Sequence, residues 1–139
     1  MKTLRTLIRL KKDEADKLKK ELTQIEERQR ILKDEHHELG VQLELEATAA
    51  TNFPECASAF AAFAKKTIER QRALLKNIEM LQVAIDKKRD ELLDAFSELK
   101  KFEIALDQRL AAERGETQRR ETIMMNEVAL RGFVRKDAQ

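Results

Sequence analysis

Tryptophan and tyrosine are absent, glycine occurs three times, and proline and cysteine occur once each. Each shortage excludes something. One cysteine cannot close an internal disulfide, so this is no stapled secreted domain. Three glycines leave no glycine-rich loop of the kind that cradles phosphate. The β-formers Val, Ile, Tyr, Trp and Thr are scarce, which argues against a sheet. The longest apolar run, about 57–64, is interrupted by Ser58 and falls far short of the ~20 residues that span a bilayer. What the chain does have is charge and helix formers. Charged residues make up 39% of its 139 positions, against about 25% in an ordinary domain. Leu, Ala, Glu, Lys, Arg and Gln dominate. The expected class is all-α with a narrow apolar seam.

The start, MKTLRTLIRLKKDE, has the basic beginning of a signal peptide, but Arg5 and Arg9 interrupt any apolar core and no small-x-small cleavage site follows. A transit peptide is also disfavoured, because the same pattern runs on into the next thirty or so residues. The expectation is an unprocessed cytoplasmic chain.

One place can reverse the chain, the stretch from Thr48 to Glu55. Pro54 loses a hydrogen bond inside a helix but suits a first turn. Asn52, three residues before Glu55, approximates a capping box. Helix 1 is expected over about 3–48, a turn over about 49–53 and helix 2 over about 54–134, within a single domain, 1–139.

Both helices keep a seven-residue repeat. With Ile8 on the seam, helix 1 places there Met1, Leu4, Lys11, Ala15, Leu18, Leu22, Ile25, Gln29, Leu32, His36, Leu39, Leu43 and Glu46. Helix 2 places Ala57, Phe60, Ala64, Thr67, Gln71, Leu74, Ile78, Leu81, Ile85, Lys88, Leu92, Ala95, Leu99, Phe102, Leu106, Arg109 and Glu113. A sustained 3.5-residue repeat implies left-handed supercoiling. The prediction is a long antiparallel two-helix coiled coil, a helical hairpin in which helix 2 extends beyond helix 1. The flanking positions read as a solvated face, with ion pairs expected at Asp13–Lys17 and Asp16–Lys20.

The helices are unequal. At ~1.5 Å per residue helix 1 spans roughly 70 Å and covers helix 2 to about residue 103. The apolar residues Ile123, Met124, Met125, Val128, Leu130, Phe133 and Val134 then have no mate within the chain, and either pack as helix or dock a partner. A break at Gly115 is plausible on helix propensity. Lys2, Arg5, Arg9, Lys11 and Lys12 crowd the start without an acid, and Arg109, Arg114, Arg119, Arg120, Arg131, Arg135 and Lys136 gather on distal helix 2. Folded back, both basic segments meet at the open end, which suits an acidic partner surface.

The remaining signals read as structural. His36 and His37 are neighbours about 100° apart on a helix and cannot converge on one ion. Zinc with Cys56 would lack a nameable fourth ligand; Cys56 reads as a small apolar residue near the turn. Lys11, Gln29, Lys88 and Arg109 either specify register or snorkel at the seam edge. A two-helix seam has no interior for a substrate, so no enzyme activity and no cofactor or metal are expected. No aromatic residue interleaves the basic clusters and the net charge is +2, so no nucleic acid is expected either. A membrane-surface role for the basic start stays open.

The order of motifs along helix 2 resembles the FliJ family, small stalk and escort proteins of the bacterial flagellar type III export apparatus. The likeness runs through Phe60-x-x-Phe63, Ile68-Glu69-Arg70-Gln71-Arg72, Glu98-Leu99-Lys100-Lys101-Phe102-Glu103, Arg119-Arg120-Glu121, Met125-Asn126-Glu127 and Arg131. The equivalent injectisome stalk protein would look much the same. The resemblance implies an antiparallel coiled coil whose open end enters the export ATPase hexamer and promotes its assembly and hydrolysis. It also implies a region nearer the turn that meets the export gate, the membrane protein's cytoplasmic part, and binding to export chaperones. Candidate ATPase contacts are Lys2, Arg5, Arg9, Lys12, Met124, Val128, Arg131 and Phe133. Candidate gate contacts are Phe60, Ala64, Thr67 and Gln71, which also form the most poorly filled stretch of the seam. The implied location is cytoplasmic, at most peripheral at the inner membrane. Other readings are a generic dimeric coiled-coil scaffold and a substrate escort with no ATPase role.

Overall fold

The computed structural model describes residues 2–138, with side chains to 136. Met1, placed on the seam by its spacing, lies outside the described residues. The described chain is helical almost throughout and contains no strand: α1 (Lys2–Asn52), a short 3-10 turn (Pro54–Cys56) and α2 (Ala57–Ala138). It is an all-α helical hairpin with the second helix the longer. α1 runs some four residues past about 48, and α2 about four past 134.

The reversal is sharper than expected. Thr48, the expected end of helix 1, and Thr51, expected in the turn, donate their hydroxyls to the carbonyls of Glu44 and Ala47 (3.1 and 2.9 Å). This back-bonding satisfies the side chains within the helix. Asn52 is the last residue of α1 and not a cap. The N-cap is Phe53, which makes no side-chain cap bond. Pro54 excludes the helical conformation at the preceding residue, and Phe53 accordingly adopts φ −129°, ψ 89°. Its N–H still donates to Ala49 O, and its carbonyl accepts from the Cys56 N–H, both at 2.9 Å. The capping-box reading of Asn52 and Glu55 is therefore corrected: the stereochemistry of proline, not a side-chain cap, ends one helix and starts the next.

The chain divides into two units. In the first, Glu14–Asp94, the buried residues are Ala15, Gln29, Thr67, Leu74 and Ile85. All five are seam positions, so the seven-residue repeat holds here. Cross-helix bonds set the antiparallel register. Lys88 Nζ donates to Glu21 Oε2 at 2.6 Å, Arg89 reaches Glu26 at 3.5 Å, and Arg70 reaches Glu35 at 3.0 Å. Gln29 Nε2 donates to Ile78 O (3.2 Å) and to Gln82 Oε1 (2.9 Å). Gln82 in turn donates to Asp86 (3.0 Å). Glu46 and Ala57, expected on the seam, are exposed: Ala57 is the first residue of α2, beside the turn, and the Glu46 carboxylate stays in water because burying an unpaired charge is costly.

The second unit is Met1–Asp13 with Ala95–Gln139. Leu4 and Ala95 are buried, and Lys11 Nζ donates to Glu98 Oε2 at 2.6 Å. Among the described residues, the last half-buried apolar residue of α2 is Leu110. Arg109 and Glu113 are exposed, a correction to the seam assignment, since they lie past the start of α1. There is no break at Gly115: α2 is continuous through it, and a Cβ there would meet nothing within 4 Å. The expected pairs Asp13–Lys17 and Asp16–Lys20 do not form among the described residues; Lys17 instead lies in the field of Glu21. The within-helix pairs that do form join Arg30 to Glu27 and Asp34, and Glu116 to Arg119 and Arg120.

Candidate functional site

The distal part of α2 is the chain's main unsatisfied surface. Ile123, Met124, Met125, Val128, Leu130, Phe133 and Val134 are all exposed, from 45% to 72%. At about 100° per residue these seven side chains occupy nearly every azimuth of the helix. A helix that is apolar all round is ordinarily buried. Arg131, Arg135 and Lys136 lie among them, also exposed. Grooves between successive turns, one lined by Val128, Leu130, Arg131, Val134 and Arg135, are open and shallow. They offer side chains to a docking surface and enclose no substrate.

Of the residues expected to meet an ATPase, Lys2, Arg5, Arg9 and Lys12 are exposed on α1, and Met124, Val128, Arg131 and Phe133 on α2. They share one unit but form two patches. The Lys11–Glu98 pair, stepped back nine residues in antiparallel register, sets Lys2 near residue 107. Met124 then lies roughly 25 Å farther along α2 at ~1.5 Å per residue.

The residues expected to meet an export gate lie together on one face of α2, and that face is turned toward α1. Phe60, Ala64 and Gln71 are half-buried, and Thr67 is only 5% exposed. Gly40 stands beside this stretch: a Cβ there would come within 3.4 Å of Gln71 Nε2. The missing side chain on α1 makes room for a long polar one on α2.

Of Lys11, Gln29, Lys88 and Arg109, the first three make cross-helix bonds, and Arg109 is exposed. The Glu21 and Glu98 carboxyls are held below the usual carboxylate range chiefly by hydrogen bonds from Lys88 and Lys11. The Lys88 ammonium is pushed up chiefly by its hydrogen bond to Glu21. Sequence reading missed Gln82 and Gly40. Gln82 sits one position off the seam and becomes visible only once Gln29 is known to lie opposite. His36 is half-buried, while His37 and Cys56 are exposed. Among the described residues no group of three His, Cys, Asp or Glu could hold a metal ion. No helix among them is long and apolar enough to cross a membrane.

These features define a class, the antiparallel helical hairpin that carries an uncovered helical arm. The chain matches the family of the flagellar FliJ protein over residues 1–138. It belongs to the FliJ family and is a component of the flagellar type III export apparatus. Comparison with curated proteins and with solved structures gives no match.

Proposed function

We propose that the chain is the cytoplasmic stalk of the flagellar export apparatus. It binds and activates the export ATPase hexamer and links it to the export gate and to export chaperones, remaining at most peripheral to the membrane. The observation that carries this reading is the arm of α2, apolar at nearly every azimuth and covered by nothing in its own chain. One flat partner cannot cover such a surface; a ring around it can. A stalk that binds the assembled ring more tightly than the free subunit favours assembly by mass action. An asymmetric stalk also touches successive subunits unequally, which biases them in turn. The test is enzymatic, since an escort without a role in the ATPase would leave phosphate release unchanged.

Arg5→Glu, Arg9→Glu and Arg131→Glu together should lower stimulation of phosphate release by the export ATPase several-fold, with helicity and Tm unchanged. Undiminished stimulation would put the contact elsewhere. Phe60→Ala with Gln71→Ala should weaken capture of the gate's cytoplasmic part while leaving ATPase stimulation intact. That pair is read at a temperature where the variant is folded, because Phe60 is half-buried.

A further inference from the structure

The half of α1 nearer the turn carries a second set of apolar residues. Ile31, Val41 and Leu45 are 53%, 42% and 66% exposed. At about 100° per residue they fall within an arc of about 80°. That arc lies on the opposite side of the helix from the half-buried seam residues Leu32, His36, Leu39 and Leu43. The three side chains therefore face away from α2, which cannot cover them. Earlier on α1 the same outward face carries Asp16, Lys20, Thr23 and Glu27, all exposed. Apolar residues scattered singly over a surface are ordinary. Three aligned over about 20 Å, on a face that is polar elsewhere, form a stripe.

The stripe is also acidic. Glu38 lies on it between Ile31 and Val41, and Glu44 borders it, both exposed. Among the described residues neither has a cation within ion-pair distance, whereas the neighbouring Asp34 and Glu35 are held by Arg30 and Arg70. α1 supplies no Lys or Arg beyond Lys33 to neutralise them. Aligned apolar side chains with unmatched carboxylates among them specify their complement, a helix whose apolar stripe is flanked by Lys or Arg. Cations on that helix would offset the cost of drawing Glu38 and Glu44 out of water. A second copy laid on the same face would instead set like charges together.

We propose that the outward face of α1 from Ile31 to Leu45 is the docking face for a cationic amphipathic helix of a partner protein. That helix packs apolar side chains on Ile31, Val41 and Leu45 and sets Lys or Arg beside Glu38 and Glu44. The proposal is independent of the stalk reading, since it rests on the outward stripe and its unpaired acids. It leaves the hairpin seam intact. It involves neither the distal arm nor Phe60, Ala64, Thr67 and Gln71, which lie on the face of α2 turned toward α1.

The test uses the full chain and a labelled synthetic helix of three heptads, with Leu on its apolar stripe and Lys flanking it. One twin carries Glu in place of Lys, and another carries Ser in place of Leu. Anisotropy should show saturable binding of the Leu/Lys peptide, with both twins weaker by about tenfold or more. Val41→Ser with Leu45→Ser should weaken binding by a similar factor while keeping helicity and Tm, because both side chains face water. Glu38→Lys with Glu44→Lys should reverse the preference between the Lys and Glu peptides. Met80→Ser with Val83→Ser, equally exposed on α2, should change nothing. Absence of saturable binding, equal binding of either twin, or binding that survives Val41→Ser with Leu45→Ser overturns the proposal. So does concentration-dependent dimerisation of the free chain that is lost in that variant, which would make a second copy the occupant.

Discussion

Gln29 shows how a polar residue settles into a two-helix seam. It is buried, yet both of its bonds cross to α2, one to a backbone carbonyl and one to Gln82. No buried side-chain polar atom among the described residues lacks a partner. A register slip would strand this amide at a cost of about 1–3 kcal/mol, so Gln29 ties the helices to one alignment. Gly40 is the opposite case, a residue that contributes by having no side chain. Gly40→Ala should raise stability by up to about 1 kcal/mol through helix propensity. Its new Cβ meets only the mobile end of Gln71 at 3.4 Å. Thermal unfolding of the full chain checks this; a lowered Tm would mean that Gln71 cannot move aside. The ion pairs give a pH dependence. The carboxyls of Glu21 and Glu98 have lower pKa values folded than unfolded. Their stabilisation is therefore present above the unfolded value, about 4.3, and is lost as pH falls through the folded one. Tm should drop between about pH 6 and pH 3, and Glu21→Gln with Glu98→Gln should lower the pH 6 value and flatten that drop. The gain at Lys88 has the opposite sense, present at neutral pH and lost only as alkali deprotonates it.

At the scale of elements, the hairpin depends on Phe53 and Pro54. Every residue from Lys2 to Asn52 is helical, and the helix resumes within a few residues. Only the proline and the φ and ψ it imposes on Phe53 separate two helices from one. Pro54→Ala removes that restriction. The two segments can then join into one long helix, which must find its mate in a second chain. Sedimentation at rising concentration should show an elongated dimer in Pro54→Ala, as in domain swapping, with the parent chain monomeric at the same concentrations. An unchanged monomer would show that the paired seam alone enforces the turn. The generic dimeric scaffold requires Pro54 in mid-helix, so the observed hairpin weighs against it.

At the scale of the whole chain, the arm beyond Leu110 has no buried apolar side chain to hold it and rests on its helical bonds. Most of a helix's stability in a protein comes from packing one face against a neighbour, and residues 117–136 are all exposed. Amide exchange should therefore be faster by orders of magnitude over 117–136 than over the seam of Glu14–Asp94. Adding the export ATPase should slow it in the arm and leave the seam unchanged. Slow exchange in the free chain would mean that the arm already has a mate in solution.

Much of this was legible in the residues themselves. A seven-residue repeat in two blocks around a single proline allows little but a helical pair, because apolar side chains at 3.5-residue spacing can be buried only against another helix. The uneven block lengths announced an uncovered arm. The candidate site was legible in part. Met124, Val128, Arg131 and Phe133 were found because apolar residues past the end of α1 have nowhere to go. What no periodicity could give was pairing across the helices. That Gln29 finds Gln82, that Thr67 is shut inside while Phe60 keeps an edge in water, and that the basic start stands well short of Met124 all follow from register, a relation between residues some twenty to ninety positions apart. Local pattern thus settled which face of each helix is buried. Only the tertiary structure decided what each face meets, since sliding one helix by a heptad preserves every apolar position yet changes every partner.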